Sequence, residues 1–283
     1  MTPHQIEPVN NDVVHLLQIT DSHIFADPAA CLWDMNPRQS FAAVCKQVLV
    51  NKHPADALLA TGDLSQDGSA ESYQYLADYF ERMEIPTFWI PGNHDDPRIM
   101  GEYLNSGQVN PAKRLLIGNW QIILLDSTID GEVCGRVSEA QLAFLDSALA
   151  QLADEHALVC LHHQALPSGS LWIDQKGLKD SARLKNLLAC HDNVRGVLWG
   201  HVHQESHTSI DGVEWMSTPS SCVQFKPGAE EFCIGSERPG YRRLSLFADG
   251  HIETQVHRID NSNSPLAGLP DQGHAQRGPV GND

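Results

Sequence analysis

Five short hydrophobic runs each end in a small cluster of polar residues, and this repeated pattern constrains the fold more than any other feature of the chain. Short apolar runs bounded by turn residues are typical of buried β-strands. If such strands lie side by side, their ends share one edge of a sheet and the polar clusters meet there. The runs span residues 14–20, 57–61, 87–90, 157–161 and 194–199.

Segments with helical patterning separate these runs. Residues 38–50 carry apolar side chains at the spacing of one helix face, and residues 70–83 and 182–189 predict two further helices. The sequence Ser-Glu-Ala-Gln at residues 138–141 is a capping-box pattern, which predicts a helix that ends near residue 153. The first two-thirds of the chain therefore alternates between strands and helices.

The last third of the chain changes to hairpin signals. Asp211-Gly212 and Asp249-Gly250 each lie between extended runs, and Asp-Gly is a strong signal for a β-hairpin turn. Earlier in the chain, residues 115–117 and 121–126 predict a further pair of strands across a Gly-Asn turn. Alternation followed by hairpins predicts an α/β fold in which two packed sheets are flanked by helices. An open doubly wound sheet is the alternative, and both arrangements place ligand-binding loops at the carboxyl ends of strands.

The length of 283 residues allows one large domain or two small ones. We expect a flexible N-terminus over residues 1–12 and a single catalytic domain over residues 13–260. The last residues, 261–283, are rich in Asn, Ser, Gly and Pro and have little to bury, so we expect a disordered tail there.

Charge and cysteine usage argue against several classes of protein. The formal net charge is −17 and the 19 Lys and Arg residues are scattered, whereas nucleic-acid binding relies on clustered basic residues. The seven cysteines form no CxxC pair, residues 1–12 show no signal-peptide pattern, and no apolar run is long enough to cross a bilayer. We therefore expect a cytoplasmic protein that binds neither nucleic acid nor membrane.

The polar clusters contain the ligand types that hold a pair of metal ions. Two cations about 3.5–4 Å apart need a bridging carboxylate with nitrogen and oxygen ligands on both sides. Asp63 is the natural bridge, and residues two apart in an extended chain, such as Asp21 and His23, share one face. This set of donors suits Fe, Mn, Zn, Co or Ni. We expect one metal at Asp21, His23, Asp63 and His203, and the other at Asp63, Asn93, His162 and His201.

A pair of cations with these ligands predicts a hydrolase. A water that bridges two metals loses a proton near neutral pH, because metal binding brings its pKa to about 7. The resulting hydroxide can attack phosphorus, and His94 is placed to protonate the leaving oxygen. Asp95 is expected to orient the His94 ring. The side chains expected to contact the substrate are His23, Asp63, Asn93, His94 and His203.

Each cluster alone has a structural explanation. Residues 21–23 and 62–63 are common at strand ends, residues 92–95 could form an Asx turn, and His162 and His163 could be buried histidines. Residues 200–203, Gly-His-Val-His, are the most specific cluster, because two histidines at strand spacing serve little structural purpose. Turn chemistry does not explain why all five strand ends carry ligand-type residues, so the joint pattern favours a metal site.

The ordered set Asp-x-His, Gly-Asp, Gly-Asn-His-Asp, His and Gly-His-x-His resembles the calcineurin-like metallophosphoesterases and spans residues 21–203. Residues 60–67 (ATGDLSQD) and 218–227 (TPSSCVQFKP) are similar to the bacterial class III 3′,5′-cyclic AMP phosphodiesterases. The resemblance implies a four-layer αββα sandwich of two mixed β-sheets flanked by helices. It also implies a two-metal centre, with Fe and Mn as the expected ions, and hydrolysis of cyclic AMP to 5′-AMP. One departure is that Pro167 lies further from the paired histidines than the proline of many relatives does.

Three functions remain open on the sequence alone. The favoured one is hydrolysis of cyclic AMP by a monomer or homodimer. The same site could act on another small phosphate ester, such as a 2′,3′-cyclic nucleotide, a glycerophosphodiester or a phosphomonoester, because no metal ligand selects a base. A non-catalytic scaffold is disfavoured, since no ligand is missing. Trp172 and Phe225 are candidates to stack on adenine and Lys226 or Arg114 to screen phosphate, although loop packing and surface charge are the favoured roles.

Overall fold

The computed structural model describes residues 2–10 and 12–259, which form thirteen strands and six helices. The strands are β1 (His4–Ile6), β2 (Val13–Ile19), β3 (Ala57–Thr61), β4 (Thr87–Ile90), β5 (Val109–Asn110), β6 (Arg114–Ile117), β7 (Trp120–Leu124), β8 (His156–Cys160), β9 (Val194–Trp199), β10 (Ser206–Ile210), β11 (Val213–Ser217), β12 (Gly240–Phe247) and β13 (Ile252–Arg258). The helices are α1 (Pro37–Asn51), α2 (Ala70–Met83), α3 (Pro97–Tyr103), α4 (Glu139–Gln151), α5 (Leu171–Asp174) and α6 (Ser181–Leu188).

The strands form two mixed sheets. The six-stranded sheet has the order β13-β12-β2-β3-β4-β5, in which β2 to β5 run parallel and β12 joins β2 antiparallel. The seven-stranded sheet has the order β1-β6-β7-β8-β9-β11-β10, in which β7, β8, β9 and β11 run parallel. Both predicted Asp-Gly hairpins form, β10 with β11 and β12 with β13. Two separate sheets rule out the open doubly wound alternative.

One hydrophobic core lies between the two sheets, because its buried side chains come from strands of both sheets. Phe88 of β4 and Trp120 of β7 are its aromatic members. Leu16 of β2 belongs to this core, whereas its neighbour Leu17 packs on the opposite face of the same sheet. That alternation follows from the two-residue period of a strand.

Helices cover the outer faces of both sheets. Phe41 of α1 and Phe80 of α2 pack in the core of the six-stranded sheet, and Leu145 of α4 and Leu184 of α6 pack in that of the seven-stranded sheet. Every residue of β3 is buried, as expected for a central parallel strand that is covered on both sides. The order helix, sheet, sheet, helix confirms the predicted four-layer αββα sandwich.

The helix starts follow local capping signals. At the start of α1, the Asn36 side-chain oxygen accepts a hydrogen bond from the Gln39 N–H at 3.0 Å. At the start of α4, Ser138 Oγ accepts from the Gln141 N–H at 3.3 Å, as the Ser-Glu-Ala-Gln pattern predicts. The Gln141 side chain bonds to the Asp126 N–H at 3.4 Å, whereas a full capping box would return it to Ser138. The motif therefore marks the helix start and also ties α4 to the end of β7.

The structure differs from the sequence predictions at several short elements. Residues 4–6 form strand β1, which pairs in parallel with β6, so the predicted flexibility of residues 1–12 is wrong for that stretch. Helices α3 and α5 were not predicted, although Asp96 followed by Pro97 is a helix-start signal and Asp96 accepts from the Arg98 N–H. The predicted tail, residues 261–283, lies outside the described residues. Among the described helices, none combines the length and apolarity needed to cross a membrane.

Candidate metal centre

The predicted polar clusters follow five strands whose carboxyl ends lie at the same side of the two sheets. Three of the strands, β2, β3 and β4, are parallel neighbours in one sheet, and β8 and β9 are parallel neighbours in the other. Loops at the carboxyl ends of parallel strands are the usual place for a binding site in α/β folds. Side chains from all five clusters meet there.

Strained backbone marks this meeting point. Five of the predicted ligands have positive φ angles: Asp21 (54°), His23 (49°), Asp63 (47°), His201 (65°) and His203 (48°). A residue other than glycine in this left-handed region costs about 1–2 kcal/mol, and such strain concentrates at functional sites. The rest of the fold therefore holds the five side chains in an arrangement that an isolated chain would avoid.

The first group of side chains consists of Asp21, His23 and His203, all buried. His23 Nε2 lies 3.1 Å from His203 Nε2, and His203 Nε2 lies 3.2 Å from Asp21 Oδ1. Asp63 approaches the same point, with Oδ2 3.9 Å from His23 Nε2. These are the four residues that the sequence predicts for one metal ion.

Hydrogen bonds on the far side of the two imidazoles decide which nitrogens can bind a cation. His203 Nδ1 lies 2.8 Å from the Val223 carbonyl oxygen, and His23 Nδ1 lies 2.7 Å from Gln66 Oε1. Both partners can only accept, so both Nδ1 atoms donate, and each neutral ring presents a lone pair on Nε2. The two lone pairs face each other at 3.1 Å. Two nitrogens at right angles, each about 2.1 Å from one ion, would be about 3.0 Å apart, so the pair fits a metal ion.

The second group contains Asp63, His162 and Asn93. His162 Nδ1 donates to the Thr61 carbonyl oxygen at 2.8 Å, which directs Nε2 toward Asp63 Oδ2 at 3.4 Å. His162 Nε2 and Asn93 Oδ1 are buried atoms without a hydrogen-bond partner among the described residues. Buried polar atoms without partners are rare and costly. A cation bound at this point would satisfy both.

His201 lies beside this second group. Its ring centroid is 5.1 Å from that of His162, and its Nε2 lies 3.2 Å from the Lys176 carbonyl oxygen. Since that carbonyl can only accept, Nε2 donates, and the lone pair of a neutral His201 ring is on Nδ1. His201 could therefore join the site through Nδ1, whereas His23, His162 and His203 would do so through Nε2.

His163 is close to both of these histidines but has no free lone pair. Its Nε2 donates to the Val133 carbonyl oxygen at 3.1 Å, and its Nδ1 lies 2.8 Å from Ser127 Oγ. Burial lowers the pKa of His163 to about 3, so the ring is neutral, and Nδ1 accepts from the Ser127 hydroxyl. His163 supports His201, with ring centroids 4.7 Å apart, rather than a metal ion.

Charge at the site favours a bound cation. Burial raises the pKa of Asp63, but His162 and its neighbours outweigh burial and hold that pKa well below the ordinary value. Burial likewise raises the pKa of Asp21, but His203 and His162 together bring that pKa below its ordinary value. Burial lowers the pKa of His162, yet Asp63 raises it to about 9. The buried centre therefore holds two carboxylates whose negative charge attracts protons or metal ions.

Two glycines leave the space that these side chains occupy. A Cβ atom at Gly92 would lie 2.2 Å from Asp63 Oδ1 and 2.8 Å from His162 Nε2. At Gly62, which also has φ of +94°, it would lie 2.5 Å from His162 Nδ1. Close packing thus requires glycine at both positions, and the positive φ is a second requirement at Gly62.

Asp95 has a different partner set from the one predicted. Its carboxylate accepts hydrogen bonds from the backbone N–H groups of Gly92, Leu64 and Ser65 and from the Tyr73 hydroxyl, at 2.9–3.2 Å. These four donors fill the carboxylate, so the prediction that Asp95 orients the His94 ring is wrong. Burial, with a contribution from Asp63, raises the pKa of Asp95 to about 6. Asp95 fastens the loop after β4 to the loop after β3.

Gln66 contacts the exposed His94 ring instead. Gln66 Nε2 lies 3.2 Å from His94 Nδ1, and the His94 backbone N–H donates to Asp63 Oδ1 at 2.9 Å. Sequence reasoning missed Gln66. The one signal for it was its position three residues after Asp63 of the Gly-Asp cluster.

The aromatic candidates for base contact pack against the site and against each other. The Phe225 ring stacks on His203 with centroids 4.0 Å apart and an angle of 6° between the rings. Trp172 meets Phe225 edge-on at 4.9 Å, and Phe232 contacts both. One face of Phe225 is therefore taken by His203, which favours the packing role.

Arg114 has neither of the roles considered for it. The side chain is buried, with 2% of its surface exposed, and it donates to the Ala148 carbonyl oxygen and the Gln151 side chain of α4. It joins β6 to the end of α4 and is not a surface charge. Lys226 is exposed, as expected.

A sequence model of the calcineurin-like phosphoesterases matches residues 14–205. The chain belongs to this family. It is 43% identical over 251 residues to the 3′,5′-cyclic adenosine monophosphate phosphodiesterase CpdA of Haemophilus influenzae, an alignment that covers 88% of this chain and 92% of that protein. It is 42% identical over 247 residues to CpdA of Escherichia coli K12, with 87% and 90% covered. It is 37% identical over 261 residues to CpdA of Pseudomonas aeruginosa, with 92% and 96% covered.

Solved structures share the fold at much lower sequence identity. A dimetal phosphatase from Danio rerio is 14% identical with a TM-score of 0.62, covering 88% of this chain and 100% of that one. A purple acid phosphatase from yellow lupin seeds is 14% identical with a TM-score of 0.58, covering 95% and 58%. These likenesses support the fold, and the family match confirms the resemblance seen in the sequence.

Proposed function

We propose that this phosphoesterase hydrolyses 3′,5′-cyclic AMP to 5′-AMP at a centre of two metal ions. The observation that carries the proposal is the likeness, over about nine-tenths of the chain, to proteins named 3′,5′-cyclic adenosine monophosphate phosphodiesterase CpdA. The facing lone pairs of His23 and His203 support the metal centre. So do Asn93 Oδ1 and His162 Nε2, which have no hydrogen-bond partner in the part of the chain that the structure describes.

The ligand assignment follows the two groups of side chains. Asp63 would bridge the ions, since its Oδ2 lies 3.4 Å from His162 Nε2 and 3.9 Å from His23 Nε2, between the groups. One ion would be held by Asp21, His23, Asp63 and His203, and the other by Asp63, Asn93, His162 and His201. Nitrogen, carboxylate and amide donors suit Fe and Mn, and also Zn, Co or Ni.

The two ions, when bound, would neutralise the phosphate charge and acidify a water molecule that attacks phosphorus. The water oxygen bonds to phosphorus as the bond from phosphorus to O3′ breaks. O3′ takes a proton from His94, and the proton that the water releases restores His94, so that cyclic AMP and water give 5′-AMP. His94 suits this role because its ring is exposed beside the buried centre and its backbone is tied to Asp63. His23, Asp63, Asn93 and His203 would surround the phosphate with it.

A proposal about location rests on the cysteines. All seven are free thiols in the structure. Unpaired cysteines are typical of reducing compartments, and we therefore propose that the reaction takes place in the cytoplasm.

A substrate panel tests the proposed reaction. Cyclic AMP, cyclic GMP, a 2′,3′-cyclic nucleotide, a glycerophosphodiester and bis(nitrophenyl) phosphate are compared by kcat/KM with added Mn²⁺, and the product of cyclic AMP is identified. The proposal expects 5′-AMP and the highest kcat/KM for a 3′,5′-cyclic nucleotide. Formation of 3′-AMP, or turnover of cyclic AMP no faster than that of the nitrophenyl diester, would overturn it.

Substitution of His94 tests the proton donor. His94→Ala should slow turnover of cyclic AMP by roughly 10²–10⁴, the usual contribution of a positioned acid. Metal content should be nearly intact, because the ring is not among the proposed ligands. Unchanged activity would exclude His94 from this role.

A further inference from the structure

A cluster of nitrogen side chains lies on the outer face of the six-stranded sheet, near the end of α1. This outer cluster consists of Arg243 of β12, His15 of β2, His257 of β13 and His53, which follows α1. Arg243 pairs in register with Leu17, whose side chain packs on the outer face, and His15 lies two residues before Leu17 and shares that face. Six residues separate His15 from Asp21, which is about 20 Å of extended chain. The outer cluster is therefore remote from the metal centre.

Arg243 lies close to all three histidines of the outer cluster. Its Nη2 is 3.4 Å from His15 Nδ1. The rings of His53 and His257 are in contact, with centroids 4.9 Å apart. Burial lowers the pKa of each histidine, and the Arg243 charge lowers each of them further. One guanidinium is therefore surrounded by three imidazoles that are mainly neutral at pH 7.

The outer cluster has no anionic partner of its own. Arg243 forms no ion pair with a carboxylate in the described part of the chain, and its Nε atom is buried without a hydrogen-bond partner there. Asp56 acts on His15, but both Asp56 oxygens already accept backbone N–H groups, from Val9 and His15, at 2.6 Å. Glu253 of the neighbouring β13 is exposed. An arginine that leaves water is normally paired with an acid, so the unpaired charge of Arg243 favours binding of an external anion.

The free donors of the outer cluster suit a tetrahedral oxyanion. A planar guanidinium can bind two oxygens of a phosphate or sulfate group at once. Because Arg243 can only donate, His15 Nδ1 accepts, and the hydrogen of the neutral His15 ring is on Nε2, where it can donate to a ligand. His257 Nε2 has no hydrogen-bond partner among the described residues. All four residues are partly exposed, so the cluster is open to an ion from solvent.

We propose that the outer cluster binds a tetrahedral oxyanion with two negative charges, the class that includes phosphate, sulfate and phosphomonoesters. Arg243 contacts two oxygens of the ion, and the three histidines contact the others. This site is separate from the metal centre and does not depend on the proposed function. The donors recognise the same oxygens in free phosphate and in the phosphate group of a phosphomonoester.

Binding at this site should be coupled to protonation of the histidines. A bound dianion opposes the charge of Arg243, which is one of the causes that lower the pKa of each ring. The pKa of a ring that contacts the ion should therefore rise on binding. By reciprocity, the ion binds more tightly when the rings are protonated, so its affinity should be about five- to tenfold higher at pH 6 than at pH 8.

Sulfate is the probe, because it keeps two negative charges at both pH values and any pH dependence of binding then comes from the protein. Zinc-loaded protein labelled with ¹⁵N in histidine is titrated with sodium sulfate at constant ionic strength, and single His→Gln variants at positions 15, 53 and 257 assign the signals. These signals should shift along a saturable curve, with the smaller Kd at pH 6. Shifts that stay linear in sulfate concentration, or the same Kd at both pH values, would overturn the proposal.

Arg243→Gln tests the central donor. It should raise the Kd for sulfate about tenfold or more, because hydrogen bonds from a charged group are lost. Arg98→Gln is the matched control, since it removes the same charge from an exposed residue of α3 that pairs with Glu102, and it should bind sulfate as the wild type does. An equal loss in the two variants would show that only net charge matters, against the proposal.

Zinc content and circular dichroism show whether the variants are folded. If Arg243→Gln does not fold, His53→Gln replaces it as the test, because it changes a partly exposed side chain outside any strand or helix. His53→Gln should raise the Kd about threefold. An unchanged Kd in that variant would contradict the site.

Competition identifies the source of the phosphate group. Inorganic phosphate and 5′-AMP are each added to the sulfate-saturated protein at pH 8, where both are dianions, and the same histidine signals report displacement. Stronger displacement by inorganic phosphate supports the site with the free ion as its ligand, and stronger displacement by 5′-AMP supports it with a phosphomonoester. Displacement by neither would overturn the proposal.

Discussion

Asp95→Asn should be among the most destabilising single changes near the site, because the Asp95 carboxylate accepts four hydrogen bonds and asparagine can accept only two of them. Asp95 Oδ1 accepts from the Ser65 N–H at 2.9 Å and the Tyr73 hydroxyl at 3.0 Å. Oδ2 accepts from the Gly92 N–H at 2.9 Å and the Leu64 N–H at 3.2 Å. An asparagine keeps one oxygen and turns an NH₂ group toward the other two donors. Because burial raises the pKa of Asp95, its charge is already disfavoured in the fold, and the cost comes from the two buried donors that lose their acceptor. A buried donor without an acceptor costs about 1–3 kcal/mol, so the loss of two predicts about 2–6 kcal/mol.

The assay is urea unfolding at saturating Mn²⁺ and a pH above 6, where the Asp95 carboxyl is ionised. Asp67→Asn is the matched control, because Asp67 also accepts several hydrogen bonds, including those from the Ala26 N–H and the Ser69 hydroxyl, but is exposed. Water can replace its partners, and its loss should be about 0.5–1.5 kcal/mol. A loss of less than about 1 kcal/mol for Asp95→Asn, or equal losses for the two variants, would refute the idea that Asp95 fastens the loops.

Three further changes test other parts of the structure. Gly92→Ala should empty the metal site, because the added Cβ would lie 2.2 Å from Asp63 Oδ1. Gly101→Ala is the control and should bind metal normally, because no atom lies within 4 Å of its added Cβ. Equal metal content in the two variants would contradict this prediction. Asp63→Ala should lose or scramble both ions, and retention of two per chain would show that the bridge is wrongly assigned. Burial lowers the pKa of Lys113 to about 7. Between pH 7 and 10 the unfolded chain therefore binds more protons than the folded chain does, and the free energy of unfolding should rise with pH. The rise should be at most about 1.4 kcal/mol per pH unit. Lys113→Met should lack that rise in urea unfolding, and an equal rise in both proteins would exclude a buried Lys113 as its cause.

The strand ends could be predicted because the signals are local. An apolar run followed by turn residues places β3 at residues 57–61 and β4 at residues 87–90, and the structure has the same bounds. Helix α2 over residues 70–83 agrees equally well, since six of its residues form one buried face. The predicted ligands come together because each follows a strand in one of two neighbouring sheets.

The features that could not be predicted from the sequence depend on contacts between distant parts of the fold, not on local signals. Nothing in the sequence shows that Gln66 reaches His94, 28 residues away, or that the Asp95 carboxylate is occupied by donors from the loop after β3. The sequence alone indicates a surface cation at Arg114, and only the packing of α4 over β6 shows that the side chain is buried. Strand β1 has three residues, too few for a periodic pattern, and exists only because β6 offers an edge.

Anomalous diffraction from crystals grown with Mn²⁺ tests the central assignment most directly, because it locates metal ions without reference to activity. We predict two peaks about 3.5–4 Å apart on either side of Asp63, one contacted by His23 and His203 through Nε2 and the other by His162. A single peak, or peaks that leave His23 and His203 uncoordinated, would contradict the account.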